Sequence, residues 1–204
     1  MQKTNRDFLK LCIEHLVWAG PVYEFGALQV SGSTLEDLRP LFTDHTFIGA
    51  DMREGPGVDQ VLDLHGLDLP DDSVGFAVCL DTLEHVERPW TAVEEMYRVL
   101  KPGGVLVMSS VFEFPIHGYP NDYWRFTPEG FRSLLKPFTS VLVSSYGRSD
   151  ATPQNVVAVS RKGEGGISEA LVAAVDQWSR WNSGLCRRLA AKERAGEVIK
   201  SWSD

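Results

Sequence analysis

Acidic side chains in this chain recur just beyond short apolar runs. Glu24 stands with Phe25 and Gly26 after one such run, Asp51 after the next, Asp63 with Leu64 after a third, and Leu80-Asp81 after a fourth, continued by Thr82-Leu83-Glu84-His85. A carboxylate at such a strand end is placed to accept both hydroxyls of a ribose, and Gly26 lets backbone approach a ligand where a Cβ would collide. The stretch after Gly26, Ala27-Leu28-Gln29-Val30-Ser31-Gly32, lacks the G-x-G-x-x-G spacing that seats a pyrophosphate on a helix N-terminus. The pattern therefore suits a nucleoside-bearing cofactor without phosphates. Any one of these acids can equally cap a helix or solvate a loop, but four strand ends in register favour a ligand.

Two histidines stand where proton transfer would be useful. His85 follows the fourth run directly, and His117 lies in an aromatic-rich segment, residues 111–128. Histidine can take a proton near neutral pH, which an alcohol acceptor needs. In the same segment Tyr123 and Trp124, with His117, Asp122 and Arg125, have the composition of an apolar pocket wall carrying a few polar anchors. His85 and His117 are thus candidate bases, and His117, Asp122, Tyr123, Trp124 and Arg125 candidate substrate contacts. Packing is the competing role: aromatics closing the top of a sheet, Arg125 paired to Asp122, Thr127 capping a helix from Pro128, and His85 bracing the loop to Pro89. His15 falls on a helical apolar stripe, and His45 and His65 have no partner visible in the sequence.

These residues need a sheet whose strand ends converge. Apolar runs at 22–25, 46–49, 58–62, 74–80, 105–109, 141–145 and 156–160 predict seven strands, and helical periodicity at 7–18, 34–42, 89–100 and 128–135 predicts helices around them. The alternation implies an α/β fold: a Rossmann-like seven-stranded, mainly parallel sheet with helices on both faces. The segment 146–154 is too short for a helical crossover, so the last two strands pair antiparallel, giving one antiparallel edge strand. The best-marked helix is 89–100, with Pro89 in its first turn, an apolar stripe of Ala92, Val93, Met96, Val99 and Leu100, and Pro102-Gly103-Gly104 to stop it. From Ile167 a long helix aligns Leu171, Val175, Trp178, Trp181, Leu185 and Leu189. Residues 1–162 then form the sheet domain with its N-terminal helix, and 163–204 a C-terminal helical tail. The tail's tryptophans either pack back on the domain or form a partner surface, such as a homodimer contact.

With 204 residues, 43% hydrophobic and 24% charged, the chain is neither disordered, collagenous nor disulfide-stapled. Its 28 acidic against 20 basic residues give a net charge of −8, and with no Lys/Arg run this argues against a nucleic-acid partner. Cys12, Cys79 and Cys186 show no Cys-x-x-Cys or Cys/His metal spacing. They predict reduced thiols, a cytoplasmic location and no metal site. No run of ~18 uncharged apolar residues offers a membrane span.

The order of the segments resembles the class I S-adenosylmethionine-dependent methyltransferases over residues 20–162. The run Leu83-Glu84-His85-Val86, followed by Glu95-Met96-Tyr97-Arg98-Val99-Leu100-Lys101-Pro102-Gly103-Gly104, carries the resemblance most specifically. It implies a seven-stranded sheet with the last strand antiparallel and inserted, and S-adenosylmethionine as cofactor. It further implies that Glu24 and Gly26 lie at the methionine end and that Asp51 holds the ribose hydroxyls. Asp63 and Leu64 would meet the adenine, and Leu80 and Asp81 would line the wall behind the sulfonium. The family writes acidic-x-Gly-x-Gly-x-Gly where this chain has Glu24-Phe25-Gly26-Ala27-Leu28-Gln29-Val30. Leu28 and Val30 would obstruct the cofactor on the usual backbone path, unless the loop is rerouted and Gly32 makes the close contact.

The run from Pro120 to Pro128 resembles one in methyltransferases of saccharide and natural-product pathways, which implies a small polyhydroxylated acceptor. No N/D-P-P-Y/F run of the kind that grips an extruded base follows the fourth strand. The expected activity is methyl transfer from S-adenosylmethionine to a small molecule at oxygen, without a metal. The alternative is a non-catalytic binding or assembly protein of the same fold that has lost the cofactor. A nucleotide-dependent oxidoreductase would need a phosphate-binding loop that the chain lacks.

Overall fold

In the computed structural model, which describes residues 3–30, 37–118 and 120–194, the apolar runs become strands of one sheet. They are β1 (Val22–Phe25), β2 (Phe47–Asp51), β3 (Gln60–Val61), β4 (Val74–Leu80), β5 (Leu100–Val111), β6 (Ser140–Gly147) and β7 (Pro153–Arg161). Their order is β3-β2-β1-β4-β5-β7-β6. β1 to β5 pair in parallel. β7 runs antiparallel to both neighbours, so the reversed strand lies one place in from the edge, between β5 and β6. The chain runs outward from β1 to β3 and returns to β4 on the other side of β1. That reversal opens a crevice beyond the strand ends of β1 and β4, where ligands bind in open α/β sheets.

Helices cover both faces. Period-two alternation sends Ala77 and Cys79 of β4 to one core, with Met96 of α2 (Pro89–Val99) and Phe131 of α3 (Pro128–Leu134). Phe76, Val78 and Leu80 of β4 go to the other, with Phe8 and Leu9 of α1 (Lys3–His15) and Leu171 and Val175 of α4 (Glu169–Arg194). β4 is buried along its whole length, which is why it reads as an unbroken apolar run rather than an alternating one.

Three elements differ from the periodicity. β5 starts at Leu100, where Pro102-Gly103-Gly104 reads as a stop, because Gly103 N–H donates to the Lys162 carbonyl and Lys162 N–H to that of Gly104. This pairing extends the ladder through a segment of poor intrinsic strand propensity. Of the helix expected over 34–42, the described part holds a 3-10 turn at Arg39–Leu41, where Pro40 removes a backbone donor. Residues 31–36, Gly32 among them, lie outside the described residues. β3 is reduced to two residues, an edge strand paired with β2 alone.

α4 packs back onto the sheet. Trp178 is buried, its ring 5.2 Å from Phe8 and 5.3 Å from Tyr146, while Trp181 is 70% exposed. Ser179 Oγ donates to the Ser145 carbonyl at 2.5 Å, docking the helix on β6. Residues 195–204 of the expected tail lie outside the described residues. Among the described residues no helix is long and apolar enough to cross a membrane.

Candidate functional site

A cavity of about 270 Å³ opens at the carboxyl ends of β1, β2 and β4. Glu24, Gly26, Asp51, Asp63, Leu64, Leu80 and Asp81 all line it, as do His85, His117 and Phe114.

At the end of β1, Gly26 has φ +88, and a Cβ there would overlap the Thr82 side chain. Glycine is required by both backbone and space. Glu24 is buried, and loss of hydration pushes its carboxyl up to about 8. Asp51 closes β2, only 9% exposed. Its carboxylate accepts the Arg53 N–H at 3.0 Å and the Leu28 N–H at 3.4 Å, which orients it while leaving lone pairs toward the cavity. Asp63 Oδ1 accepts both the backbone N–H and the ring Nδ1–H of His65, each at 2.8 Å. These bonds, the backbone one foremost, hold its carboxyl below the ordinary range. His65, without a partner in the sequence, thus ties down the turn that presents Leu64.

Leu28 and Val30 line the cavity without filling it. The Leu28 side chain lies against Gly55, and Gln29 N–H donates to the Pro56 carbonyl at 2.9 Å, so the loop is drawn toward the β2–β3 connection. Gly57, with φ +91, lets that connection approach Ala27 and Gln29.

Asp81 sits at φ +49, a left-handed conformation unusual for a residue with a side chain. Three elements hold it there. Asn5 Nδ2 on α1 donates to both carboxylate oxygens at 2.7 and 2.9 Å, Ser109 Oγ on β5 donates at 2.9 Å, and Asn155 Nδ2 on β7 donates at 3.2 Å. Asn5, Ser109 and Asn155 are fully buried. Ser109 stands as a polar residue inside an apolar run, whereas Asn5 lies in the polar stretch 3–7 and gives no signal in the sequence.

Beyond Asp81 a 3-10 turn, Leu83–His85, brings Glu84 inward. Glu84 is fully buried; Ser110 Oγ donates to its Oε2 at 2.5 Å, and Oε1 has no hydrogen-bond partner among the described residues. Burial, reinforced by the Asp81 charge, pushes its carboxyl up to about 8. His85 Nδ1 lies 2.5 Å from the Asn121 carbonyl oxygen, which makes Nδ1 the protonated nitrogen and leaves the lone pair on Nε2. Burial lowers the His85 pKa. The His117 ring stands edge-on to it at 4.7 Å, with Nδ1 3.1 Å from Asp122 Oδ2.

Asp122 is in turn gripped by Arg125 through both oxygens, at 2.5 and 2.8 Å, and the guanidinium holds its carboxyl well below the usual range. Arg125 also donates to the carbonyls of Phe114 and Pro115. Of the residues expected at the acceptor, His117 lines the cavity, whereas Asp122, Tyr123, Trp124 and Arg125 do not. They brace the loop. Tyr123 N–H donates to the Glu84 carbonyl at 2.8 Å, and Trp124 Nε1–H to that of Glu87 at 3.2 Å. Thr127 caps α3, accepting the Gly130 N–H at 3.0 Å. Thr82, Arg53, His65, Glu84 and Phe114 are cavity residues not singled out by pattern.

Residues 29–108, which run from the rerouted loop to the end of the β5 core, match the family model of the methyltransferase domain. Over that stretch the chain is similar to a methyltransferase domain. An uncharacterized methyltransferase of Mycobacterium ulcerans (strain Agy99) is 34% identical to it over 104 residues, 50% of this chain and 41% of that one. The chain thus spans well under two thirds of that relative's length. Among solved structures, the 1,6-didemethyltoxoflavin-N1-methyltransferase of Burkholderia thailandensis, with bound 1,6-didemethyltoxoflavin and S-adenosylhomocysteine, is similar at TM-score 0.62 and 19% identity over 80% of both chains. The CurJ carbon methyltransferase is similar at TM-score 0.54 and 18% identity, over 74% of this chain and 51% of its own. At these identities the likeness is one of fold.

Proposed function

We propose that the protein transfers a methyl group from S-adenosylmethionine to an oxygen of a small polyhydroxylated acceptor of the saccharide or natural-product kind. The observation that carries this reading is one cavity with two ends. Glu24, Gly26, Asp51, Asp63, Leu64, Leu80 and Asp81 line the strand ends, and His85 and His117 face them from the loop side. The family match and the S-adenosylhomocysteine bound in the Burkholderia thailandensis enzyme support the donor.

The residues present fit that donor. Asp51, oriented by two backbone N–H groups, has acceptor capacity for ribose hydroxyls. The apolar Leu64 suits an adenine edge, and Gly26 keeps the methionine end free of side-chain bulk. S-adenosylmethionine supplies a methyl on a sulfonium. The chain must chiefly align an acceptor with it and accept or dissipate the acceptor's proton. The two imidazoles on the cavity wall can take the proton that a hydroxyl acceptor loses, and the solved relatives include nitrogen and carbon methyltransferases by name. The net charge of −8 argues against nucleic acid.

The test is calorimetric titration with S-adenosylmethionine and S-adenosylhomocysteine, on the natural chain and on Asp51→Ala. Micromolar binding abolished by the substitution supports the reading, and methylation of hydroxylated acceptors in preference to amines completes it. A folded chain that binds neither compound overturns it and favours the non-catalytic binding or assembly role.

A further inference from the structure

The Glu84 carboxyl beside the two imidazoles has no part in the methyl-transfer reading. The Glu84 carboxylate and one nitrogen each of His85 and His117 lie within 4.8 Å of one another on the cavity wall. Glu84 is fully buried, and its Oε1 is left without a hydrogen-bond partner among the described residues. An unsatisfied buried carboxylate oxygen is costly and calls for a partner. Both imidazoles are oriented as metal-ligating histidines are. The Nδ1 of His85 faces a backbone carbonyl oxygen and that of His117 faces the Asp122 carboxylate, which leaves the Nε2 lone pairs available. Asp122 is itself held by Arg125, the kind of supporting shell that fixes a ligand ring.

We propose that Glu84, His85 and His117 bind one divalent transition-metal ion at the acceptor end of the cavity. Two imidazoles and one carboxylate suit zinc, manganese or iron(II) rather than magnesium or calcium, and three protein ligands leave positions open for an acceptor oxygen. Bonds of ~2.0–2.2 Å around such an ion place donor atoms roughly 3.4 Å apart, so donor atoms that lie within 4.8 Å of one another draw together on binding. Linear spacing hides the site: Glu84 and His85 adjoin, while His117 comes from the loop between β5 and α3.

The inference rests on the methyl-transfer reading for its purpose. An ion there acts as a Lewis acid on an acceptor hydroxyl. The hydroxyl proton passes to solvent, the oxygen forms a bond to the methyl carbon, and the carbon–sulfur bond breaks with its electron pair kept by sulfur. S-adenosylhomocysteine and the methyl ether are the products, with no change of oxidation state at the ion.

The experiment strips the full chain with a chelator and titrates it with Zn²⁺ against a competing chromogenic chelator, then with Co²⁺ while recording visible absorption. The expected result is one ion per chain, with cobalt d–d bands that signal imidazole coordination, and little competition from Mg²⁺. His117→Ala and Glu84→Gln weaken Zn²⁺ binding by more than the ~10–100-fold that supporting groups alone contribute. Asp122→Asn weakens it within that range, and His15→Ala leaves it unchanged. Glu84→Gln keeps the side-chain shape, and S-adenosylhomocysteine titration of every variant reports whether the fold is intact. Equal Zn²⁺ affinity in the natural chain and His117→Ala, or no stoichiometric binding by a chain that binds S-adenosylhomocysteine, overturns the metal site alone. Stoichiometric metal binding by a chain that binds no S-adenosylhomocysteine upholds the site and removes the methyl-transfer reading.

Discussion

Burial of Glu24 at the end of β1 has a thermodynamic consequence. Its carboxyl, ordinarily near 4.5, titrates near 8 in the folded chain because the charged form is cut off from water. The folded state thus holds a proton that the unfolded state has released. The carboxyl imposes no cost below pH 4.5, a growing one as the pH rises toward 8, and a constant one above. Glu24→Gln, which cannot ionise, removes that cost. The variant should melt at nearly the same temperature as the natural chain at pH 4.5 and be more stable by on the order of 4 kcal/mol at pH 8. Calorimetric melting of both chains across that range checks it, and an offset independent of pH would show that Glu24 does not carry the titration. The position of Glu24 was legible from its place after an apolar run, but its burial was not, because that depends on helices packed over the strand.

At the scale of elements, α1 contributes more than a cover for the sheet. Its Asn5 reaches across to both oxygens of Asp81, where Ser109 of β5 and Asn155 of β7 also converge. Together these donors hold an aspartate in the left-handed region at the cavity wall. Asn5→Ala should cost ~1.5–3 kcal/mol in chemical denaturation, since a half-buried carboxylate loses one of its donors. It should also weaken S-adenosylhomocysteine binding severalfold, measured by calorimetry. Destabilisation with unchanged affinity would reduce the network to a structural role. Helix 89–99 was legible because its start, stripe and stop are local, whereas the early start of β5 was not, since its Pro-Gly-Gly segment pairs only by virtue of residues 161–162.

Across the whole molecule, α4 closes the core shared with α1. Trp178 fills the space between Phe8 and Tyr146, while Trp181, three residues on, points away from it. Trp178→Ala should therefore cost ~3–5 kcal/mol, the usual result of emptying a large core position. Trp181→Ala should stay within ~0.5 kcal/mol. Urea unfolding of the two variants separates them, and comparable losses would mean that both faces of α4 are covered in solution.

The α/β alternation, the parallel sheet, the strand-end acids and the glycine turn were legible before folding, because each is written in local periodicity or in residues adjacent along the chain. That Leu28 folds over Gly55 and leaves the cavity open, that Asp122 and Arg125 stand behind His117 outside the cavity lining, and that Glu84 joins two histidines emerged only from the packed fold. Those outcomes depend on contacts between segments distant in the chain, and their energies appear only when the sheet has brought the segments together.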